Sequence, residues 1–201
     1  SKPFEKSIPF LNNYKVTDSV EAPSAYIIPK AFSAIIDRLK WNNVTMQYME
    51  KDSVMDVEVY YIEDLETRDS PFEGHYLHSN VKVRTEQQKL KFYAGDVLVP
   101  VNQEKNRYIV EVLQPQGPDS FFAWNFMDGI LMQKEYFSSY VFEETAEELL
   151  KNDDVLRKEF EKKKADDAEF AENGRAQLNF IYERSPYYEK SYKRYPIGMI
   201  K

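Results

Sequence analysis

The apolar positions change period along the first half of the chain. Ala25 to Ile28 is a short apolar run that reads as a strand. Phe32, Ile35, Ile36 and Leu39 then recur at helical spacing and predict an amphipathic helix over 30–40. Pro29 suits the first turn, where a missing N–H costs nothing. Asn42 and Asn43 suit the exit, because Asn tolerates left-handed backbone. From Val44 the period becomes two. Val44, Met46 and Tyr48 alternate with polar residues, and Val57, Val59 and Tyr61 alternate with Asp56 and Glu58. That pattern sets one face on a core and leaves the other wet. Val81 to Arg84 and Lys89 to Tyr93 flank the polar stretch Thr85 to Gln88 and read as a hairpin. The turn Ala94-Gly95-Asp96 leads into Val97 to Val101, and the whole run reads as an antiparallel meander.

Asn102 to Leu113 fits two patterns. Tyr108, Ile109, Val112 and Leu113 suit a helix capped by Asn102, whereas Tyr108, Val110 and Val112 suit a strand; the helix is preferred. Gln114 to Phe142 follows, dense in aromatic residues and without a charge run, so it must be buried or bind something. Thr145 and Glu148 have the spacing of a capping box, ahead of Leu149 and Leu150. Asn152 to Asp154 breaks that helix and caps a second one running towards Lys164. A third, from about Asp167 to Arg184, carries Phe170, Leu178, Ile181 and Tyr182 and is interrupted at Asn173-Gly174.

These elements predict an α+β fold: an antiparallel β-sheet or open sandwich, with one N-terminal helix and several C-terminal helices packed on it. Residues 1–23 read as an N-terminal arm or linker, broken by prolines, with Phe4, Phe10, Leu11 and Tyr14 available to pin it to a neighbour. Residues 24–201 read as one domain. It has a β-rich core over 44–142, a helical part over 143–185 and a Tyr- and Pro-rich tail over 186–201. Tyr187, Tyr188, Tyr192 and Tyr195 are expected to lie along the surface.

Composition narrows the partners. The chain has 201 residues and a net charge of −7. Residues 143–172 hold twelve acidic and six basic side chains, a net of −6, so the acidity sits in the helical part. Such a balance argues against nucleic acid, whose affinity comes from clustered Lys and Arg. With no cysteine there is no disulfide framework, thiolate nucleophile or Cys-ligated zinc. No apolar run reaches the ~18 residues of a membrane span. The start at SKPFEKS, without an initiator Met, reads as an internal fragment or a processed chain.

Candidate chemistry is sparse. His75 and His78 are the only histidines, and a spacing of three on a loop entering a strand sends them to opposite faces. Zinc needs three or four ligands, to which Glu73 or Asp69 could add one. The expectation is hydrogen-bonded structural histidines and no metal in this segment. Asp119, Phe121, Trp124 and Asn125 form the best binding candidate, a polar cluster beside a stacking platform that suits a carbohydrate or a peptide side chain. Against it stands a core role for the rings, with Asp119 or Ser120 capping the turn after Pro118. Ser120 lacks a nucleophile-elbow context. The paired carboxylates Glu143-Glu144, Glu147-Glu148 and Asp153-Asp154 lie on what reads as a solvated helical face. No catalytic residue is expected.

Three stretches carry a family resemblance: YIIPKAFSAIIDRL, EGHYLHSNVKV, and GDVLVPVNQEKNRYIVEVLQPQGPDSFFAWNFMDGILMQKEYFSSYVFE, continuing through FAENGRAQLNFIYERSPYYEKSY. They resemble the C-terminal, non-catalytic region of bacterial zinc carboxypeptidase-like metallopeptidases, from about Lys2 onward, and PQGPDSFFAWNF is the most specific part. The resemblance implies a secreted or periplasmic parent that cuts peptides with zinc. It implies that this segment is an accessory domain whose partner is the catalytic domain of the same chain. The family's zinc motif, His-x-x-Glu with a later His, has no counterpart here. His75 is followed at the third position by His78, and His78 by Val81. The alternative is a carbohydrate- or peptide-binding module built on exposed aromatics.

Overall fold

The computed structural model describes residues 2–16, 19–134 and 136–201. Strand β1 (Ala25–Ile28) precedes helix α1 (Ser33–Trp41), a short β2 (Gln47–Tyr48), two long strands β3 (Ser53–Thr67) and β4 (His78–Phe92), and β5 (Val97–Pro100). Helix α2 (Asn106–Leu113) and a 3-10 turn (Asp128–Leu131) lead to α3 (Ser139–Asn152), α4 (Asp154–Asp166), α5 (Ala168–Glu172) and α6 (Gly174–Glu183). The chain closes with β6 (Gly198–Ile200). The strands form one open antiparallel sheet in the order β2-β5-β1-β6-β3-β4. The fold is α+β.

Several local predictions hold for the stated reasons. Ile35, Ile36 and Leu39 are the buried stripe of α1, and Asn43 at its exit has a φ of 56°. The Asp153 carboxylate accepts from the Val155 and Leu156 N–H groups and opens α4, while Asp167 and Asn173 cap α5 and α6 in the same way. The alternation Val57, Val59 against Asp56 and Glu58 lies within β3.

Other predictions are corrected. The sheet is not a meander, because the tail returns to its centre: β6 lies between β1 and β3. Tyr195, Ile197 and Met199 are at most 2 % exposed, so this tyrosine is core rather than surface. Thr85 to Gln88 is no hairpin turn but the middle of β4; the reversal is at 68–77. An edge strand exposes both polar sides of a pleat, so a polar run within it need not signal a turn. Among the described residues, 101–142 contributes no strand; it holds α2, turns, the 3-10 helix and the start of α3. Helix α2 begins at Asn106 without a side-chain cap, after turns at 101–105, so Asn102 does not cap it. Thr145 lies inside α3, which starts earlier to bring Phe142 into the core. Helix α1 starts at Ser33, after a turn at Pro29.

The sheet has two unlike faces. On the first, Tyr26, Ile28, Tyr60, Ile62, Val97, Val99 and Met199 pack against α1, α2 and the Phe121–Met127 segment. At about 25 cal/mol per Å² of apolar area, this layer is the main stabilising mass of the sheet. On the second face Ile27, Val57, Val59 and Phe92 are buried, ringed by half-buried Met49, Met55, Tyr61, Leu90, Leu98 and Ile200. This second cluster contains strand residues and Met49, and no helix residue. Helices α3–α6 share a third cluster around Phe142, Phe160, Phe170, Phe180 and Tyr182.

The first face also buries polar groups. Gln114, 2 % exposed, donates from Nε2 to the Tyr26 hydroxyl at 2.9 Å. The Tyr195 hydroxyl donates to the Leu113 carbonyl at 2.8 Å. Burial raises the pKa values of Tyr26, Tyr60 and Tyr195 above the ordinary phenol range.

Two outcomes follow from this packing. A Cβ on Gly198 would stand 3.0 Å from Phe92 Cζ and 3.3 Å from both Val57 methyls. Gly198→Ala should therefore destabilise the domain by about 1–3 kcal/mol, read as a lower urea midpoint at unchanged slope. At high pH the unfolded chain releases phenol protons that the folded chain keeps. Stability should be unaffected by these groups below about pH 10 and fall as the pH rises beyond it, as equilibrium unfolding between neutral and strongly alkaline buffer would show.

Candidate functional site

The β3–β4 reversal and the segment after α2 meet at one end of the sheet. Phe72 and His75 exchange backbone hydrogen bonds at 2.8 and 2.9 Å around Glu73 and Gly74. Both central residues have positive φ, 49° and 83°, the geometry of a type I′ turn. Gly74 suits it because it has no Cβ to strain. The loop is tied across: the Arg68 N–H donates to Leu77 O, and the His78 N–H to Ala123 O, each at 3.0 Å. On the other side the Ser120 hydroxyl, fully buried, accepts from the Ala123 N–H at 3.1 Å. Asn125 then takes a left-handed φ of 66°, which aims its amide back at the loop.

His78 lies at the centre of a hydrogen-bonded knot. It is 6 % exposed. Its Nδ1 is 2.9 Å from Thr67 Oγ1, and its Nε2 is 3.1 Å from Asp128 Oδ1. A carboxylate only accepts, so we assign the proton to Nε2 and let Nδ1 accept from the Thr67 hydroxyl. The Asn125 amide donates to Tyr76 O at 2.8 Å and lies 3.5 Å from Asp128 Oδ1. The tilted Phe122 ring, 5.3 Å away, connects the knot to the core.

His75 belongs to a different environment. Its ring stacks on Phe126, with centroids 6.5 Å apart and planes 9° apart, and meets Trp124 edge-on at 5.5 Å. From there the contacts run both ways. Arg38 lies 4.5 Å over Phe126 and 5.8 Å from Trp41. Trp124 meets Phe72 at 6.2 Å, and Arg68 lies 5.6 Å over Phe72. The result is a continuous row, Trp41–Arg38–Phe126–His75–Trp124–Phe72–Arg68, crossing from α1 to the β3–β4 loop. The Trp124 indole N–H donates to Asp119 Oδ1 at 2.8 Å and fixes the ring. Each aromatic or cation–π contact of this kind contributes on the order of 1 kcal/mol.

The fold thus brings together most of the residues that sequence singled out. His75 joins Trp124, Trp124 joins Asp119, and His78 joins Asn125. Phe121 does not belong with them: it is a core residue, 7 % exposed, behind Phe126. Sequence reading missed Asp128, Thr67, Arg38, Arg68, Trp41, Phe72 and Phe126. The one local signal available was Glu73-Gly74, a turn pair that sets His75 beside its own strand partner.

These residues do not fit zinc. His78 has both nitrogens engaged, His75 is clamped by two rings, and among the described residues no three His, Asp or Glu side chains are grouped to hold a metal. Ser120 accepts from a backbone N–H, and the hydroxyl that lies beside a histidine nitrogen is Thr67 Oγ1, 2.9 Å from His78 Nδ1. What the site does is hold a loop and present rings. Trp41 is 70 % exposed, Tyr76 50 % and Phe72 45 %.

No family model matches the chain, and no curated protein or solved structure matches it either.

The two histidines should separate on substitution. His78→Ala removes a buried ring that bonds Thr67 and the half-exposed Asp128 and packs on Phe122, and should cost about 1–3 kcal/mol in urea unfolding. His75→Ala, which removes only ring contacts at the surface, should cost about 1 kcal/mol or less.

Proposed function

We propose that this chain is the non-catalytic accessory domain of a zinc carboxypeptidase-like protein, and that it packs the second face of its sheet on the peptidase domain of the same parent. The observation that carries the reading is that face. Met49, Met55, Leu90, Leu98 and Ile200 stand half-buried around Ile27, Val57, Val59 and Phe92, with no helix residue in the cluster. A sheet needs a layer on each apolar face, and a contiguous apolar surface of this kind marks an interface. Fully covering a side chain such as Leu98 or Met55 is worth about 1.5–3 kcal/mol. The family resemblance supplies the partner. Catalysis and zinc reside in that partner, and the accessory domain shapes access to its cleft. A secreted or periplasmic location follows from the same reading. No helix among the described residues is long and apolar enough to cross a membrane.

A second reading is favoured by the ring row. Trp41, Phe72 and Tyr76 are exposed beside the carboxylates of Asp119 and Asp128, a surface suited to a sugar or an extended peptide. Titrating the chain with oligosaccharides and peptides, with tryptophan fluorescence as readout, addresses it directly.

The test of the first reading uses the parent chain, its separated peptidase domain and this chain. The separated domains should co-purify, and Met55→Glu with Leu98→Glu should abolish that association at a temperature where circular dichroism shows the variant still folded. Zinc and cleavage of C-terminal residues should follow the peptidase domain. Undiminished association of the double variant, or stoichiometric zinc in this chain alone, would sink the reading.

A further inference from the structure

The N-terminal arm has the design of an edge strand without a sheet. Phe4, Ile8, Phe10, Tyr14 and Val16 are between 72 and 96 % exposed, and the arm forms no regular structure. These five fall on even-numbered positions, so in an extended chain they share one face, and Leu11, 88 % exposed, is the large apolar side chain on the other. Pro3 and Pro9 both fall on odd positions. In a strand the backbone groups of alternate residues turn to opposite edges. The even edge of the arm therefore keeps a full row of donors and acceptors, and the odd edge lacks two. That is the layout of a strand that pairs on one side and meets water on the other.

One edge of the sheet matches it in length. Strand β4 spans 15 residues and pairs only with β3. Its free edge is identified by hydrogen bonds further in. The Tyr195 N–H donates to Tyr60 O and the Ile62 N–H to Lys193 O, so these even residues of β3 turn towards β6. Val57, Val59 and Tyr61 then turn towards Gln88, Glu86 and Arg84. Val83, Thr85, Gln87, Lys89 and Lys91 are left facing outward. Two of the strand's cations are answered on its inner side, Lys82 by Asp64 at 2.9 Å and Lys91 by Asp52 at 3.0 Å.

We infer that the arm of one copy adds as an antiparallel strand to β4 of a second copy. One register opposes no like charges along the paired edge. It sets Val16 opposite Val83, Tyr14 opposite Thr85, Asn12 opposite Gln87, and Phe10 and Ile8 over the aliphatic stems of Lys89 and Lys91. On the other face Lys15 comes beside Arg84, whose charge Glu63 and Glu86 already meet. The same copy cannot supply this strand. Ser24 is level with Lys89 through the β1, β6 and β3 registers. Val16 in its new seat would lie ~19 Å across and ~20 Å along the sheet from Ser24. A straight line through the strands already exhausts the ~27 Å that the residues from 17 to 23 can span, and a route over either face exceeds it.

The chain has no cysteine, so disulfide trapping is clean. Asn12 and Gln87 are both exposed, and substitution there spares the core. Mixing Asn12→Cys with Gln87→Cys chains under oxidation should give a mixed covalent dimer, roughly tenfold more than Asn13→Cys with Gln87→Cys, whose parity points away. The unsubstituted chain should sediment as a dimer or larger assembly at high concentration and as a monomer once residues 2–16 are removed. A chain that remains monomeric up to its solubility limit, a disulfide confined to one chain in the double variant, or equal trapping at the wrong parity would overturn the inference. These outcomes leave the docking of the other sheet face untouched.

Discussion

The sheet exists as one object because β6 closes it from the far end of the chain. Gly198–Ile200 pairs with β1 on one side and β3 on the other. Without those residues, β2, β5 and β1 would form one ribbon and β3 and β4 another. The constraint reaches sequence in three places. Gly198 has no side chain because the Phe92 ring and Val57 occupy the space a Cβ would take. Met199 turns to the first face, where Gln114 Nε2 lies 3.6 Å from its sulfur. Tyr195, just ahead, anchors its hydroxyl on the end of α2. Ser24 and Ile200, 176 residues apart, are joined by hydrogen bonds from both the Ser24 hydroxyl and its N–H. Contacts of such separation cost loop-closure entropy before they contribute, which slows the folding of a sheet closed in this way.

This closure explains why the two sheet faces differ. Helices α1 and α2 and the Phe121–Met127 turns all lie on one side and cover the centre of the first face, leaving Val54 and the outward side chains of β4 exposed. The chain then leaves to build α3–α6 around its own aromatic cluster. It returns through turns at 185–193, where the Lys190 carbonyl accepts from the Tyr61 hydroxyl at the margin of the second face, and ends as an extended strand that fills a gap in the sheet. That face shields its centre with its own large side chains, as when Phe92 folds over Gly198. The half-buried rim around that centre is the surface on which the proposed docking rests.

Much of this was legible in sequence where local physics decides. Apolar spacing located α1, the alternation of β3 was visible at Val57 and Val59, Asp153 and Asp167 announced two helix starts, and the interruption read at Asn173-Gly174 is where one expected helix divides into α5 and α6. What failed was what tertiary context sets. A three-residue strand has no period to read, and Gly198-Met199-Ile200 is buried only because two other strands flank it. Thr85 to Gln88 looked like a turn because an edge strand tolerates polar side chains on both faces. Gln114 to Phe142 was recognisable as something to bury, yet its rings divide. Phe121 and Phe122 are core, Phe126 and Trp124 are half-exposed partners of Arg38 and His75, and no pattern within the segment distinguishes them.

The pair of histidines shows how position in a fold overrides residue type. Three residues apart, they differ completely because a type I′ turn ends between them. His75 is the last residue of that turn and lies over the outer rings; His78 is the first residue of β4 and points inward to Thr67 and Asp128. His78 commits both nitrogens, at 2.9 and 3.1 Å, to groups of its own chain. In return the loop is fixed from beneath, by His78 and Asn125, while Trp124 is fixed from above by Asp119. Rings held this way lose little conformational entropy on contact with a partner. The polar chemistry at this end of the sheet fixes the loop and the row of rings in one arrangement.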